Sequence, residues 1–496
     1  MTKRNLRHKS PLAFVHDTGI VITPDSRRVI IRPYIPTDQT RIPRIISRVM
    51  TLDESGAEKE LKKTLRYFSA RHRNFEVILE RQFEALRMYM PSDLLPSQTR
   101  RLLMGAYFLA EYSYESTALF NPSIVRHPDQ SGVSRGSLRV IISLRATGEG
   151  HVSSLVFRSG IIDQYGSISI DKASGFACPA EPKPNALYDK ICFVGKLYEM
   201  GLENDCSRSI TDSLPNEFIM MELQEKIKLW LTGHNSIDQD RLTCDKILWL
   251  ARCNYEATFS PQIPLCERVL FPLSPSEQNG IEDARFVFFT DDDGSGNYYA
   301  TYTAYDGKVI LPQIMETEDF VYFKMSTLNG RAAVNKGMAL FPRKINGRYA
   351  MISRNDNENL FLMYSDNIHF WHETIPLMGP LYPWELVQIG NCGSPIETEQ
   401  GWILLTHGVG PLRQYSIGAI LLDREDPSRV LGRLSEPLIH WKDNSRCGYV
   451  PNVVYSCGAL AHGNNFIIPY ALSDQQTTIA LVSLRAILDR LSEEKR

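Results

Sequence analysis

Apolar residues follow two different rhythms along this chain. From about Thr51 to Tyr114 they recur at three- and four-residue spacing, which predicts helices. In "RHRNFEVILERQFEAL" the residues Phe75, Ile78, Leu79, Phe83 and Leu86 share one face and charges occupy the other. That face is expected to pack on the main domain and on a second copy, giving a homodimer through these helices. Ahead of it, "RRVIIRPYIP" (Arg27 to Pro36) reads as a short strand closed by prolines. From Leu138 onward the pattern changes to short β-type runs such as "LRVIISLRA", "HVSSLVFRSG", "GWILLTHGV" and "IALVSLRAIL". Turn signals such as "DDDGSGN" and "KINGR" separate these runs. Such spacing suits an antiparallel sandwich, barrel or propeller. Only the block at about 181–255 breaks it, with helical periodicity in "NEFIMMELQEKIKLWL" and "RLTCDKILWLARC". The expected organisation is an N-terminal strand and helical region at 1–115, then an all-β domain at 116–490 carrying a helical insertion. A strand, an Asp near an aromatic, and another strand recur in "SGIIDQYG", "TEDFVYF" and "SDNIHFW". No strict repeat accompanies them, so sandwich and propeller both stay open.

Composition narrows the partners. Lys plus Arg number 55 against 57 Asp plus Glu, which gives no electrostatic case for nucleic acid. Nine cysteines without a CxxC pair read as reduced thiols of a cytoplasmic protein. The basic start "MTKRNLRHKS" is not followed by a continuous apolar stretch, and no run is long enough to cross a bilayer. The expectation is a cytoplasmic chain with no membrane partner.

Polar side chains concentrate at the ends of the β-type runs. They are Asn121 in "FNPS", Arg145 and His151 in "LRATGEGH", Asp283 and Arg285 in "GIEDAR", and Tyr305 and Asp306 in "TAYDG". Lys336 follows in "VNKGMALFPRK", Arg354 in "SRND", Glu385 in "PWE", His407 in "THG", Asn452 in "VPNVVYSCG" and Asp474 in "LSD". Bidentate donors, carboxylates and aromatics together suit a carbohydrate, whose hydroxyl pairs and apolar ring faces they match. Singly, each fits an ordinary turn or a packed polar residue equally well. Neither HExxH nor CxxC occurs, nor does GxxxxGK followed by Ser or Thr. No metal or cofactor is therefore expected, and carboxylates remain as the groups for chemistry, pointing to glycosyl transfer. Glu282 and Asp283 are adjacent, and on a regular strand they would face opposite sides.

The ordered set "FNPS", "RVIISLRATGEGHVSSLVFRSG", "GIEDARF", "YYATYTAYDG", "NKGMALFPRKINGRYAMISR", "IGNCGSPIETEQGWILLTHGV", "YSIGAILLDREDPSRVLGR" and "PNVVYSCG" resembles glycoside hydrolase family 130, the β-mannoside phosphorylases and β-mannosidases. The likeness runs from about Phe120 to Leu488, apart from the helical insertion. It implies a five-bladed β-propeller, with Asp283 at the general acid's position and Glu282 as an outer neighbour. It also implies that Asn391 of "IGNCGSPI" lines the site with the polar set above. The chain departs from the phosphorylases where they hold phosphate: Leu311 stands where they carry an arginine, and Ser353 where they carry a histidine. That departure implies an inverting exo-acting β-mannosidase on short β-linked, β-1,2 in first preference, manno-oligosaccharides, in which water attacks. The alternative is a phosphorylase using Lys336 and Arg354. Glu385, which precedes the site motif, is the expected base; Glu373 and Asp356 read as solvated loop acids.

Overall fold

The computed structural model describes residues 14–183, 186–233, 238–441 and 448–494. The basic start of the chain lies outside them. Four helices follow the first strands: α1 (Arg41–Thr51), α2 (Glu54–Phe68), α3 (Phe75–Leu86) and α4 (Gln98–Tyr107). Helix thus begins ten residues earlier than the sequence pattern suggests (51 against 41), because Pro43 sits in the first turn of α1, where a missing N–H costs nothing. Asp53 caps α2, accepting from the Gly56 N–H at 2.9 Å. The stripe Phe75, Leu79, Phe83 and Leu86 is buried against Ile42, Ile46, Leu102, Leu103 and Met104 of α1 and α4. Gly105 lets α4 approach α3, since a Cβ there would lie 2.0 Å from the Leu79 carbonyl oxygen. The apolar face therefore finds its cover within the chain, and Ile78 is only half-buried. It no longer argues for a subunit contact.

The rest is predominantly β, and its antiparallel strands can be grouped into five units, the first two belonging to one twelve-stranded sheet through the parallel pairing of Gly280 with Ser153. The first holds Ala118–Arg126, Leu138–Thr147, Ser153–Ile162 and Ile168–Ile170; the second holds Gly280–Thr290, Gly296–Tyr305, Ile310–Thr317 and Tyr322–Thr327. The third holds Ala339–Leu340, Tyr349–Ser353, Leu360–Ser365 and Ile375–Met378; the fourth holds Gln388–Asn391, Gly401–Val409, Tyr415–Leu422 and Val430–Arg433. The fifth combines Val454–Tyr455, Asn465–Leu472 and Gln476–Ser483 with Val15–Ile22, a strand from the far end of the chain. The boundary at 115 is thus not clean: residues 15–22 complete the β-region. Arg28, from the same N-terminal part, is buried on Glu115 at 3.0 Å.

Backbone hydrogen bonds join consecutive units. Ser153 N–H donates to Asn279 O at 3.2 Å, Thr290 N–H to Pro342 O at 2.8 Å, Ile389 N–H to Glu358 O at 2.9 Å and Tyr415 N–H to Asn452 O at 3.0 Å. Leu119 N–H donates to Gln475 O at 2.9 Å, which joins the fifth unit back to the first.

The insertion comprises α5 (Lys190–Glu199), α6 (Asp205–Asp212), α7 (Met220–Gly233) and α8 (Asp238–Cys253), around a core of Phe193, Leu197, Phe218, Leu223 and Ile247. Strand pairing of Ala257 with Pro182 closes its base. The recurring Asp forms are turn caps: Asp163 accepts from Tyr165 and Ser167 N–H, and Asp319 from Val321 and Tyr322 N–H. The last expected β-run, "IALVSLRAIL", turns helical after Ser483, whose hydroxyl caps α9 (Leu484–Glu493). The eight cysteines among the described residues are free, and no described helix is long and apolar enough to cross a membrane.

Candidate active site

Two β-bulges build the central group. In the second unit the register between Gly280–Thr290 and Gly296–Tyr305 shifts between Glu282 and Arg285, and Asp283 has φ 54°. In the first unit it shifts between Phe120 and Ser123, and Asn121 has φ 48°. A bulge re-aims side chains and breaks the two-residue alternation. Glu282 and Asp283 therefore converge instead of pointing apart. Arg145 binds both, Nη2 donating to Glu282 Oε1 at 2.6 Å and Nη1 to Asp283 Oδ1 at 3.2 Å. Asn121 Nδ2 donates to the same Asp283 oxygen at 2.5 Å. Left-handed backbone costs on the order of 1–3 kcal/mol per residue, less for Asn and Asp, and such strain gathers at functional sites.

Cations surround these carboxylates. Lys336 Nζ donates to Glu282 Oε2 at 2.6 Å and lies 5.7 Å from the centre of the Tyr305 ring. Arg285 donates to Asp283 O at 2.9 Å and to the Tyr455 hydroxyl at 2.7 Å. Arg145 is steadied by Ser153 Oγ at 2.8 Å and by the Phe120 ring at 4.9 Å. Burial pushes the Asp283 carboxyl up, but Arg145, Arg285, Lys336 and the Asn121 amide together outweigh it and hold the group below its ordinary value. Asp474 goes the other way. Burial drives it up to about 7; the Asp283 charge adds to this, while Arg145 and Arg413 oppose it. The two carboxyls thus share one electrostatic environment and hold protons over different pH ranges.

A second polar group leans on the first. His407 Nδ1 lies 3.1 Å from Asn391 O, and its Nε2 lies 3.1 Å from Arg354 Nη1. Burial, then Arg354 and Arg285, lower the imidazole well below its usual range. It is neutral, with Nδ1–H donating to the carbonyl and Nε2 accepting from the guanidinium, a tautomer assigned from these partners. Its ring meets Tyr455 edge-on at 5.0 Å, and Tyr455 carries the contact to Arg285. Asn391 Nδ2 donates to Gly337 O, next to Lys336.

Other expected residues have local duties. Asp306 Oδ1 accepts from Lys308 and Val309 N–H at 2.8 and 2.7 Å, forming a turn, and Tyr305 donates to Gly307 O at 3.0 Å. Asn452 has φ 66° and gives its carbonyl to Tyr415 N–H. His151, also left-handed, lies 3.2 Å from the Tyr449 hydroxyl. Asp356 caps its own turn through Glu358 and Asn359 N–H. Glu385 is not brought to the group. His407 and Gly408 alternate along Gly401–Val409, so they face opposite sides of the sheet. Glu385 and Trp384 pack on Gly408, away from His407. Its carboxylate has no exposed surface, pairs with Arg433, and accepts from Leu381 and Tyr382 N–H at 3.0 Å each. A water-activating role does not fit that position. Sequence reasoning undervalued Glu282 and passed over Tyr455. For Tyr455 the available signal was "VPNVVYSCG" itself, a site motif already chosen for Asn452. Among the described residues no cluster of three or more His, Cys, Asp or Glu could hold a metal ion.

A family model described as beta-1,4-mannooligosaccharide phosphorylase matches residues 263–493. A 1,2-beta-oligomannan phosphorylase of Thermoanaerobacter sp. is 32% identical over 222 residues, covering 42% of this chain and 71% of that protein. The chain belongs to glycoside hydrolase family 130. A second member of the family, a beta-1,2-mannobiose phosphorylase of Listeria innocua, is 29% identical over 235 residues, 46% of this chain and 64% of the relative. The solved structure of a Listeria innocua beta-1,2-mannobiose phosphorylase with beta-1,2-mannobiose aligns at TM-score 0.45 and 18% identity, over 76% of this chain and 93% of that one.

Proposed function

We propose that the five units are the blades of a five-bladed β-propeller and that the Asp283 group is the active site of an inverting exo-β-mannosidase. Its substrates are short β-linked manno-oligosaccharides, β-1,2 in first preference. The mannoside class is supported by the names of the relatives, which include a 1,2-beta-oligomannan phosphorylase and two beta-1,2-mannobiose phosphorylases. The observation that carries hydrolysis is the state of the two positions at which the phosphorylases are expected to hold phosphate. Leu311 is buried in an apolar cluster with Ile281, Tyr302 and Ala304. Ser353 is fully buried and donates to Asn355 Oδ1. Neither offers a charge to an anion. Arg145 and Lys336 are bound to carboxylates, Arg285 to a carbonyl and Tyr455, and Arg354 to His407. Placing a dianion here would mean breaking those pairs.

In this reading Asp283 donates the proton to the departing oxygen, and water attacks the anomeric carbon from the opposite face. Asp283 is held ionised by its cations, so the sugar must raise it by shielding it from water before it acts as an acid. Asp474 replaces Glu385 as the base: it belongs to the same electrostatic group, and a proton affinity near neutrality suits general-base work. Phosphorolysis is the second reading, favoured by the matched relatives, which are named as phosphorylases. Initial rates on β-1,2-mannobiose with and without inorganic phosphate, with products resolved by chromatography, decide between them. Hydrolysis predicts a phosphate-independent rate and mannose alone; a phosphate-dependent rate with mannose 1-phosphate would establish the second reading.

A further inference from the structure

The helical insertion reaches the active-site group through two charged side chains of α5. Lys196 is only 7% exposed, and its Nζ donates to Leu328 O at 2.8 Å. Glu199 Oε1 accepts from Gly330 N–H at 2.5 Å, and its Oε2 accepts from Lys196 Nζ at 3.1 Å. Leu328 and Gly330 lie just past the strand Tyr322–Thr327, at the start of a loop that carries Asn335 and Lys336. That loop is pinned along its length. A Cβ on Gly330 (φ 96°) would lie 2.0 Å from Trp371 O, and Ala332 N–H donates to the same oxygen at 2.9 Å. Asn355 holds the middle: its Nδ2 donates to Ala332 O at 2.6 Å, and its carbonyl accepts from Asn335 Nδ2. The next residue is Lys336, whose Nζ donates to Glu282 Oε2 at 2.6 Å.

A buried lysine costs stability unless its charge is matched, and docking the insertion does not call for one. The end of α8 is already anchored on the β-region by Asn254, whose Oδ1 accepts from Thr327 N–H at 2.8 Å. Pairing of Tyr255–Thr258 with Tyr322–Thr327 follows directly after it. What Lys196 and Glu199 add is a grip on two peptide groups of the loop that bears Lys336. We propose that they are positioning residues, which hold this loop and through it place Lys336 on Glu282. A lysine side chain is long and flexible, so the backbone that carries it fixes how far its ammonium strays from the carboxylate. The proposal rests on the Asp283 group being the mannoside site, and it holds whichever acceptor attacks.

The test is a double-mutant cycle between Glu199 and Lys336 on β-1,2-mannobiose with phosphate present. Hydrogen exchange of residues 328–337 is read by mass spectrometry on the same proteins. Glu199→Ala is expected to lower kcat/KM roughly three- to tenfold and to speed exchange in the loop, yet to cost no further activity on a Lys336→Ala background. Glu199→Gln, whose amide oxygen still accepts from Gly330 N–H, should recover most of the loss. If Glu199→Ala leaves rate and exchange as in the wild type, or lowers the rate by the same factor with and without Lys336, the positioning role is refuted while the mannoside reading stands. A wild type inactive on β-1,2-mannobiose overturns the mannoside reading instead, and loop exchange alone then decides whether Glu199 holds the loop.

Discussion

At the scale of single residues, the pair Glu282–Asp283 shows how a backbone irregularity makes a site. On a regular strand one of the two would be lost to the other face; the bulge at Asp283 lets Arg145 hold both. Asp283→Asn should lower kcat by about 10²–10⁴-fold, the usual contribution of a general acid, with the melting temperature little changed. A variant within threefold of wild type would move the acid elsewhere. Glu282→Gln should also impair turnover, because it removes the anion shared by Arg145 and Lys336 and leaves both cations to depress Asp283 further; an unchanged pH–rate profile would contradict this. Asp474 gives a linkage prediction. Its folded value of about 7 lies above the ordinary 3.8, so the stability it contributes is full below 3.8 and is lost as pH rises through about 7. In Asp474→Asn the fall in melting temperature across that window should flatten, and thermal scans from acid to neutral pH would detect it. Asp283 was legible because a motif marks it. The convergence of its neighbours was not, since positive φ at Asn and Asp leaves no distinct pattern in a sequence.

At the scale of elements, α3 and the Glu385 turn carry opposite lessons. The α3 stripe was readable from periodicity alone, but its partner was not, because α1 starts through a proline that reads as a helix breaker. Phe83→Ala, at a fully buried position, should cost about 3–5 kcal/mol in denaturant unfolding, whereas Val77→Ser on the exposed side should cost little. Glu385 sits next to a site motif in sequence and on the opposite face of a sheet in space, an outcome that strand alternation fixes but proximity in sequence conceals. Glu385→Gln leaves Arg433 facing a neutral partner in the interior. It should lower stability by up to about 3–5 kcal/mol, the cost of breaking a buried pair, while the folded fraction keeps its kcat. A large loss of kcat in well-folded protein would instead return Glu385 to the chemistry.

At the scale of the whole molecule, the five units carry most of the β-runs that the sequence pattern announces, and helices α5 to α8 interrupt them. What the pattern could not show is the fifth unit, completed by Val15–Ile22 pairing with Gln476–Ser483 across almost the full length of the chain. Pairing over such a separation is set by tertiary packing and is invisible to any local window. A chain beginning after residue 22 should expose the edge of Gln476–Ser483 and melt well below the full chain; equal melting would mean that the strand adds nothing to the β-region. The hydrolase reading stands on water being the nucleophile at the Asp283 group. Turning over β-1,2-mannobiose in heavy-oxygen water with inorganic phosphate present, and reading the products by mass spectrometry, tests it directly. Hydrolysis predicts one heavy oxygen, at the anomeric position, in the mannose released from the non-reducing end, and no mannose 1-phosphate; unlabelled mannose 1-phosphate as the main product would refute it.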